Sequence, residues 1–249
     1  MQEKAGAIHT SENALHQHSS WAKSIETYLP EMVYGSIDGI VTTFAVVAGA
    51  SGAGLSIKVV LILGVSNLVA DGLSMSIGSF LSKKSEIDNY NKHVRIEEWE
   101  MDNLPEKERK EVEEIYKEKG FSGDELQMVV NRITSNRAVW LDTMMKDELG
   151  MMKETKSPLK CGASTFGAFV VAGGIPLIAF IITLLQGADF DPFLVSSIFT
   201  LITFILIGAA KNGVTHAGWA RSIGETVLLG VVAASAAYLL GDVLEKALL

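Results

Sequence analysis

The sequence predicts an all-α, polytopic membrane protein with five transmembrane helices and a three-helix cytosolic domain inserted between the second and third. Three observations carry that reading. Of the 249 residues, 48% are hydrophobic and 20% charged, too apolar on average for an ordinary soluble domain. The apolar residues are clumped into stretches near the roughly 20 residues that a helix needs to cross a ~30 Å hydrocarbon layer. The charge is concentrated in one block between two of those stretches, where helical spacing persists but apolarity does not.

The five spans run from about Met32 to Ala53, Val59 to Leu81, Cys161 to Leu185, Phe193 to Ala210 and Gly218 to Leu240. Basic residues near span ends mark the cytosolic side. Lys83, Lys84, Lys156 and Lys160 flank the second and third spans, and Lys211 and Arg221 lie in the turn between the fourth and fifth. The opposite turns hold the acidic "GADFDP" and a single Lys58. The expected organisation is therefore a cytosolic tail at 1–30, spans one and two at 31–82, a cytosolic helical domain at 83–158, and spans three to five at 159–249.

The tail reads as polar and without the apolar core of a cleavable signal; His9, His16 and His18 are candidate metal ligands, but their irregular spacing favours a solvated tail. "SSWAKSIETYLPEM" is expected to form a short amphipathic helix at the interface before the first span. Cys161 is the only cysteine, which excludes an intrachain disulfide and disfavours a thiolate metal cluster. A formal charge of -8 argues against nucleic acid as a partner.

The first span carries Asp38 with no basic residue nearby, bracketed by Gly35 and Gly39 and followed one turn later by Thr42. Small residues four apart let helices approach closely, so Asp38 is placed near a helix contact. A carboxylate in so dry a setting is expensive unless it does something. On the second span Asn67, Asp71, Ser74, Met75, Gly78 and Ser82 fall three and four residues apart, which gives that helix one polar or small face unsuited to lipid. Asp38 lies seven residues after Glu31, and Met75 seven before Ser82, so both sit roughly 10 Å inside the cytosolic surface at ~1.5 Å per residue. An oxygen donor and a thioether at one depth point to a transition metal such as Fe2+, Mn2+, Zn2+ or Cu rather than to Mg2+ or Ca2+, although Met75 as simple packing stands beside that reading. Without a fixed counter-ion such an aspartate favours holding a proton, and an arriving divalent cation would expel it. One group that takes either H+ or metal is the minimum machinery of an exchanger.

Past Ser82 the helix is expected to run on into the cytosol, because 79–102 contains neither Gly nor Pro, and Ile87, Tyr90, Val94 and Met101 keep helical spacing. "DNLP" breaks it, and Pro105 opens a charged second helix that ends at Gly120. The Ser122 to Glu125 pattern suggests a capping box that starts a third helix to about Leu149, with Leu126, Val129, Val130, Ile133, Trp140 and Met144 as its apolar stripe. Glu97 with Glu100, and Glu108 with Glu111, are like charges three apart that repel unless a cation lies between them. "MMKDE" adds Met144 and Met145 within one turn of Glu148. Interleaved Lys residues leave a plain solvated face as the competing reading. A di-iron oxidase site is disfavoured: His93 is the only histidine in the segment and no Glu stands three residues before it. The third and fourth spans carry no charge in their cores and read as scaffold, with a kink at "GGIP", Gly173 to Pro176.

Taken together, "YGSIDGIVTTFAVVAGASGAG", "LVADGLSMSIGSFLSKKSE", "GGIPL" and "WARSIGETVLLGVVAASAAYLLG" resemble the vacuolar iron transporter family, in particular its plant-type members, from about Leu29 to the C-terminus. The resemblance implies a homodimer in the vacuolar membrane, with a path between the two copies lined by the first and second spans. It implies import of cytosolic Fe2+ against H+, with no prosthetic group. It assigns Asp38 and Met75 to the path, and Glu97, Glu100, Glu108, Glu111, Met144, Met145 and Glu148 to metal binding in the cytosolic domain. Asn67, Asp71 and Ser74 are expected along the same path. Ser79 departs from the acidic residue of many relatives, and Glu31 is the group expected to serve at that mouth; Lys211 and Glu225 are expected as a structural pair. Mn2+, Co2+ or Zn2+ as cargo, a channel, and a membrane-tethered oxidase are the rival readings.

Overall fold

A computed structural model describes residues 20–187, 189–215 and 218–248. The tail histidines and the side chain of Lys211 lie outside the described residues. Every described element is helical. The chain divides into two compact units: the described residues up to Phe80 together with those from Pro158 on, and the segment Leu81–Ser157.

The first unit contains α1 (Ser20–Gly52), the opening part of α2 (Ile57–Asn103), α6 (Pro158–Gln186), α7 (Pro192–Thr215) and α8 (Trp219–Leu248). These five helices are long and apolar enough to cross a membrane, in agreement with the five expected spans. One detail differs from expectation. The amphipathic segment before the first span is not a separate helix, because α1 runs unbroken through Pro30. Pro176 of "GGIP" lies inside α6. Each proline removes one backbone donor, a local loss that neighbouring helices in a bundle can absorb.

Close packing of α1 on α6 explains the glycine pair around Asp38. A Cβ at Gly35 would lie 2.5 Å from the Thr165 carbonyl oxygen, and one at Gly39 would collide with the carbonyl of Phe169. Since lipid tails are as apolar as leucine, such backbone approach and dispersion hold spans together more than water exclusion does. Phe44, Val47, Val60, Leu68, Phe169 and Leu177 form the buried apolar cluster that these crossings enclose.

The second unit is built from the continuation of α2 with α3 (Pro105–Glu118), α4 (Gly123–Thr134), α5 (Arg137–Thr143) and a π-helical turn, Met144–Glu148. Val112, Leu126, Val130, Ile133 and Met144 make its core, with Tyr116, Phe121, Val129 and Trp140 against it. This is the apolar stripe legible in the sequence. Pro105 opens α3 as expected. The expected single third helix is instead broken: Ser135 and Asn136 interrupt it, and the Asn136 side chain accepts from the Ala138 and Val139 backbone N–H groups to start α5. Asn competes well for backbone donors, which makes it a helix starter rather than an interior residue. The Ser122 side chain makes no capping bond, so the predicted capping box does not form. Beyond the π turn, Glu154 accepts from Lys83 Nζ at 2.6 Å and from the Thr155 and Lys156 N–H groups, fixing the return strap to the base of this unit.

Candidate metal sites

In the second unit, folding brings three of the predicted carboxylates to one point. Ligand oxygens of Glu97 on α2, Glu108 on α3 and Glu148 on the π turn all lie within 4.8 Å of one another. Glu97 is 3% exposed and Glu108 is fully buried. Neither oxygen of Glu108, nor Oε2 of Glu97, has a hydrogen-bond donor. Buried polar groups are almost always satisfied, so these acceptor oxygens call for either a proton or a cation.

The electrostatics agree. Burial, then the Glu148, Glu100 and Glu111 carboxylates, raise Glu97 from 4.5 to about 7. Burial and the adjacent Glu111 raise Glu108 to about 8. Glu148 is raised as well, first by burial and then by Glu111. Glu100 and Glu111 are thus near enough to act on the trio, which places all five predicted acidic residues around one locus. Asp147, the other acid of "MMKDE", is drawn off by Lys119 Nζ at 2.7 Å. The π turn, closed by the Leu149 N–H on the Met144 carbonyl, adds a residue to the last turn and re-aims the chain beyond it, a device frequent at functional sites.

The thioethers divide. Met144 belongs to the apolar core, and Met145, 1% exposed, is buried beside it in the same turn. Lys107 was not singled out in the sequence. Its ammonium stands 3.0 Å from Glu111 Oε1 and 3.7 Å from Glu108 Oε1. The signal for it was the run Lys107-Glu108-x-x-Glu111, which looks like any solvated helix face until the fold buries Glu108.

In the first unit, Asp38 is half-buried on α1, and its backbone carbonyl accepts from Thr42 Oγ1 at 2.9 Å. Asp71 of α2 is close enough to act on it electrostatically. Among the described residues, neither aspartate has an ion-pair partner. Asn67, Asp71 and Met75 are half-buried, whereas Ser74, Gly78 and Ser82 are exposed, so the polar face of α2 lies along the margin between packed and open surface. Asn67 Nδ2 is buried without a partner. Met75 rests against the apolar cluster. Glu31 is half-buried with Cys161 Sγ 3.6 Å from its Oε1, and Ser79 Oγ accepts from Thr165 Oγ1 at 3.3 Å. Glu225 accepts from Arg221 Nε at 3.0 Å. A separate cavity of about 510 Å³, lined by Phe44, Phe193, Phe204 and Tyr238, is apolar and includes none of these residues.

Comparison with known proteins points the same way. A profile of the VIT family matches residues 29–242. The chain is similar to "Vacuolar iron transporter" of Toxoplasma gondii, 36% identical over 88% of this chain and 74% of that one. It is 35% identical to "Vacuolar iron transporter 1" of Arabidopsis thaliana over 86% and 85% of the two chains. To "Vacuolar iron transporter 1" of Tulipa gesneriana it is 31% identical over 95% of each. With five apolar helices, a cluster of three carboxylates of which Glu97 and Glu108 are buried, and a match over most of its length, the chain belongs to the vacuolar iron transporter, or VIT, family.

Proposed function

We propose that the chain is a proton-coupled Fe2+ transporter of a vacuolar membrane, working as a homodimer with its N-terminus and the Leu81–Ser157 unit in the cytosol. The observation that carries this reading is Asp38: a half-buried carboxylate in a membrane-type helix, beside Asp71 and without a cationic partner among the described residues. Two carboxylates so placed repel when both are ionised, and either a proton or a divalent cation relieves the repulsion. Binding of one therefore expels the other, which couples an inward metal flux to an outward proton flux. Met75, Asn67, Ser74 and Glu31 would line the route.

The exposed edge of α2 supports a second copy. Serines and a glycine at 66, 74, 78 and 82 are open in a single chain, beside exposed Ile62, Val69, Leu73 and Ile77. Polar positions of a membrane helix face protein or water rather than lipid. The carboxylates of the second unit would collect the cargo. Co2+, Zn2+ or Mn2+ are alternative cargoes that the same oxygen donors accept.

The deciding experiment is metal uptake into proteoliposomes, one ion at a time, with and without an imposed pH gradient. Fe2+ uptake driven by internal acid and abolished in Asp38→Ala is the expected result. Uptake indifferent to a protonophore would make the protein a channel; oxygen consumption that persists without sealed vesicles would make it an oxidase; a marked preference for Mn2+ would change the cargo alone.

A further inference from the structure

We propose that the Lys107 ammonium is a tethered competitor for the cation site of the second unit: in the absence of metal it pairs with Glu111 beside Glu108, it must leave when metal arrives, and it returns to help release it. This rests on the reading of Glu97, Glu108 and Glu148 as a metal-binding locus.

The geometry is specific. Lys107 Nζ is 3.0 Å from Glu111 Oε1, an ordinary contact one helical turn away, but it is also 3.7 Å from Oε1 of Glu108, which is wholly buried and has no hydrogen-bond donor. Its field reaches Glu97 and Glu148 too, where it opposes the neighbouring carboxylates. Lys119 is committed to Asp147 and lies over the Tyr116 ring, and Lys146 is paired with Asp142. The Lys107 side chain is 55% exposed, so its flexible stem has open solvent to swing into.

A lysine ammonium is a compact point charge on four rotatable carbons, suited to such exchange. It cannot share these oxygens with a divalent ion. Metal and ammonium therefore compete for the same oxygens, and the affinity measured is that of the exchange. A capture site built from several carboxylates alone would hold its ion tightly, whereas a returning internal cation lets the ion go. Lys107 touches the ligands and not the cargo, and so it tunes the site rather than binding at it.

The test uses the full chain in detergent, titrated anaerobically with Fe2+ by calorimetry, with the Glu108→Gln, Glu111→Gln double variant subtracted to isolate the locus. Lys107→Met is expected to bind Fe2+ roughly tenfold more tightly, the scale of one partly exposed ion pair lost together with the residual repulsion. Lys107→Arg, which keeps the charge, should stay within about twofold of the natural chain. Equal or weaker binding by Lys107→Met overturns the proposal while leaving the site intact. Wild-type binding indistinguishable from the double variant overturns the site itself. An independent readout needs no variant: acylation of Lys107, followed by mass spectrometry, should rise when the natural chain is saturated with Fe2+. Unchanged reactivity at saturation refutes the displacement.

Discussion

Raising the pH on the metal-free protein should loosen the Leu81–Ser157 unit, and the structure gives the sign and size. Glu97 and Glu108 have ordinary values of 4.5 that burial and neighbouring carboxylates raise to about 7 and about 8. Between those limits the folded unit holds protons that the unfolded chain has released, so folding stability is full below 4.5 and falls as pH climbs through 7 and 8. The rise at Glu97 alone corresponds to roughly 3 kcal/mol, on the order of a hundredfold in an opening equilibrium. Glu108 adds to this, by less than its own shift, because part of that shift comes from the neighbouring Glu111, Glu97 and Glu100 carboxylates, and Glu97 itself titrates in the same range. The assay is amide hydrogen exchange on the full chain, read on peptides covering α3 to the π turn and corrected for intrinsic exchange chemistry. Protection should drop on the order of a hundredfold from pH 5 to pH 8.5 and recover on adding Fe2+ or Mn2+, since a cation does for the ionised trio what protons do at low pH. Protection that is flat with pH in the metal-free protein would refute the view that these carboxylates are desolvated and mutually repelling. In Glu108→Gln the pH dependence should shrink and the metal response should vanish.

Other outcomes rest on the same contacts. Replacing Glu108 and Glu111 together by Ala should weaken Fe2+ binding at this unit at least tenfold by calorimetry, since two ligand charges go; unchanged affinity would return the cluster to a solvated helix face. Asp38→Ala should abolish uptake into acid-loaded vesicles while the protein still elutes as the natural oligomer, and wild-type rates would remove Asp38 from the path. Gly39→Val puts its side chain into the Phe169 backbone and should cost about 1–3 kcal/mol, read as a lower melting temperature in detergent, whereas Gly78→Ala, where nothing lies within 4 Å, should leave the single-chain fold unchanged.

Much of the fold was legible because membrane spans and amphipathic helices are written in periodicity, and the apolar stripe from Leu126 to Met144 does form the core of the second unit. What the sequence hid were competitions settled locally. The stripe continues through Ser135 and Asn136, so periodicity alone reads one helix where Asn136 caps a new one. Ser122 and Glu125 have capping-box spacing, but the Ser122 hydroxyl makes no bond to the helix start. Convergence of Glu97, Glu108 and Glu148 was beyond spacing altogether, since they come from three elements and Glu148 owes its placing to a π turn that no residue preference announces. Near Asp38 the reverse held: the Gly35 and Gly39 pair forecast a close helix contact, and α6 supplies it.

The donors left over after packing bear on which metal suits each locus. A thioether counts as a ligand only when its sulfur is free to turn toward the ion. Met144 is engaged in the apolar core with Val112 and Val130, and Met75 rests on the cluster around Phe169. Among the described residues, the carboxylate oxygens with unsatisfied capacity are both of Glu108 and one of Glu97, and the carboxylates of Asp38 and Asp71 lack an ion-pair partner. Carboxylate oxygen favours harder divalent ions, and one adjacent sulfur shifts preference toward the borderline metals without reaching the soft ones. A donor set of several carboxylates with at most a single thioether therefore suits Fe2+ and Mn2+ better than Cu+, and an internal ammonium such as Lys107, 3.0 Å from Glu111 and 3.7 Å from Glu108, is placed to contend for the same oxygens.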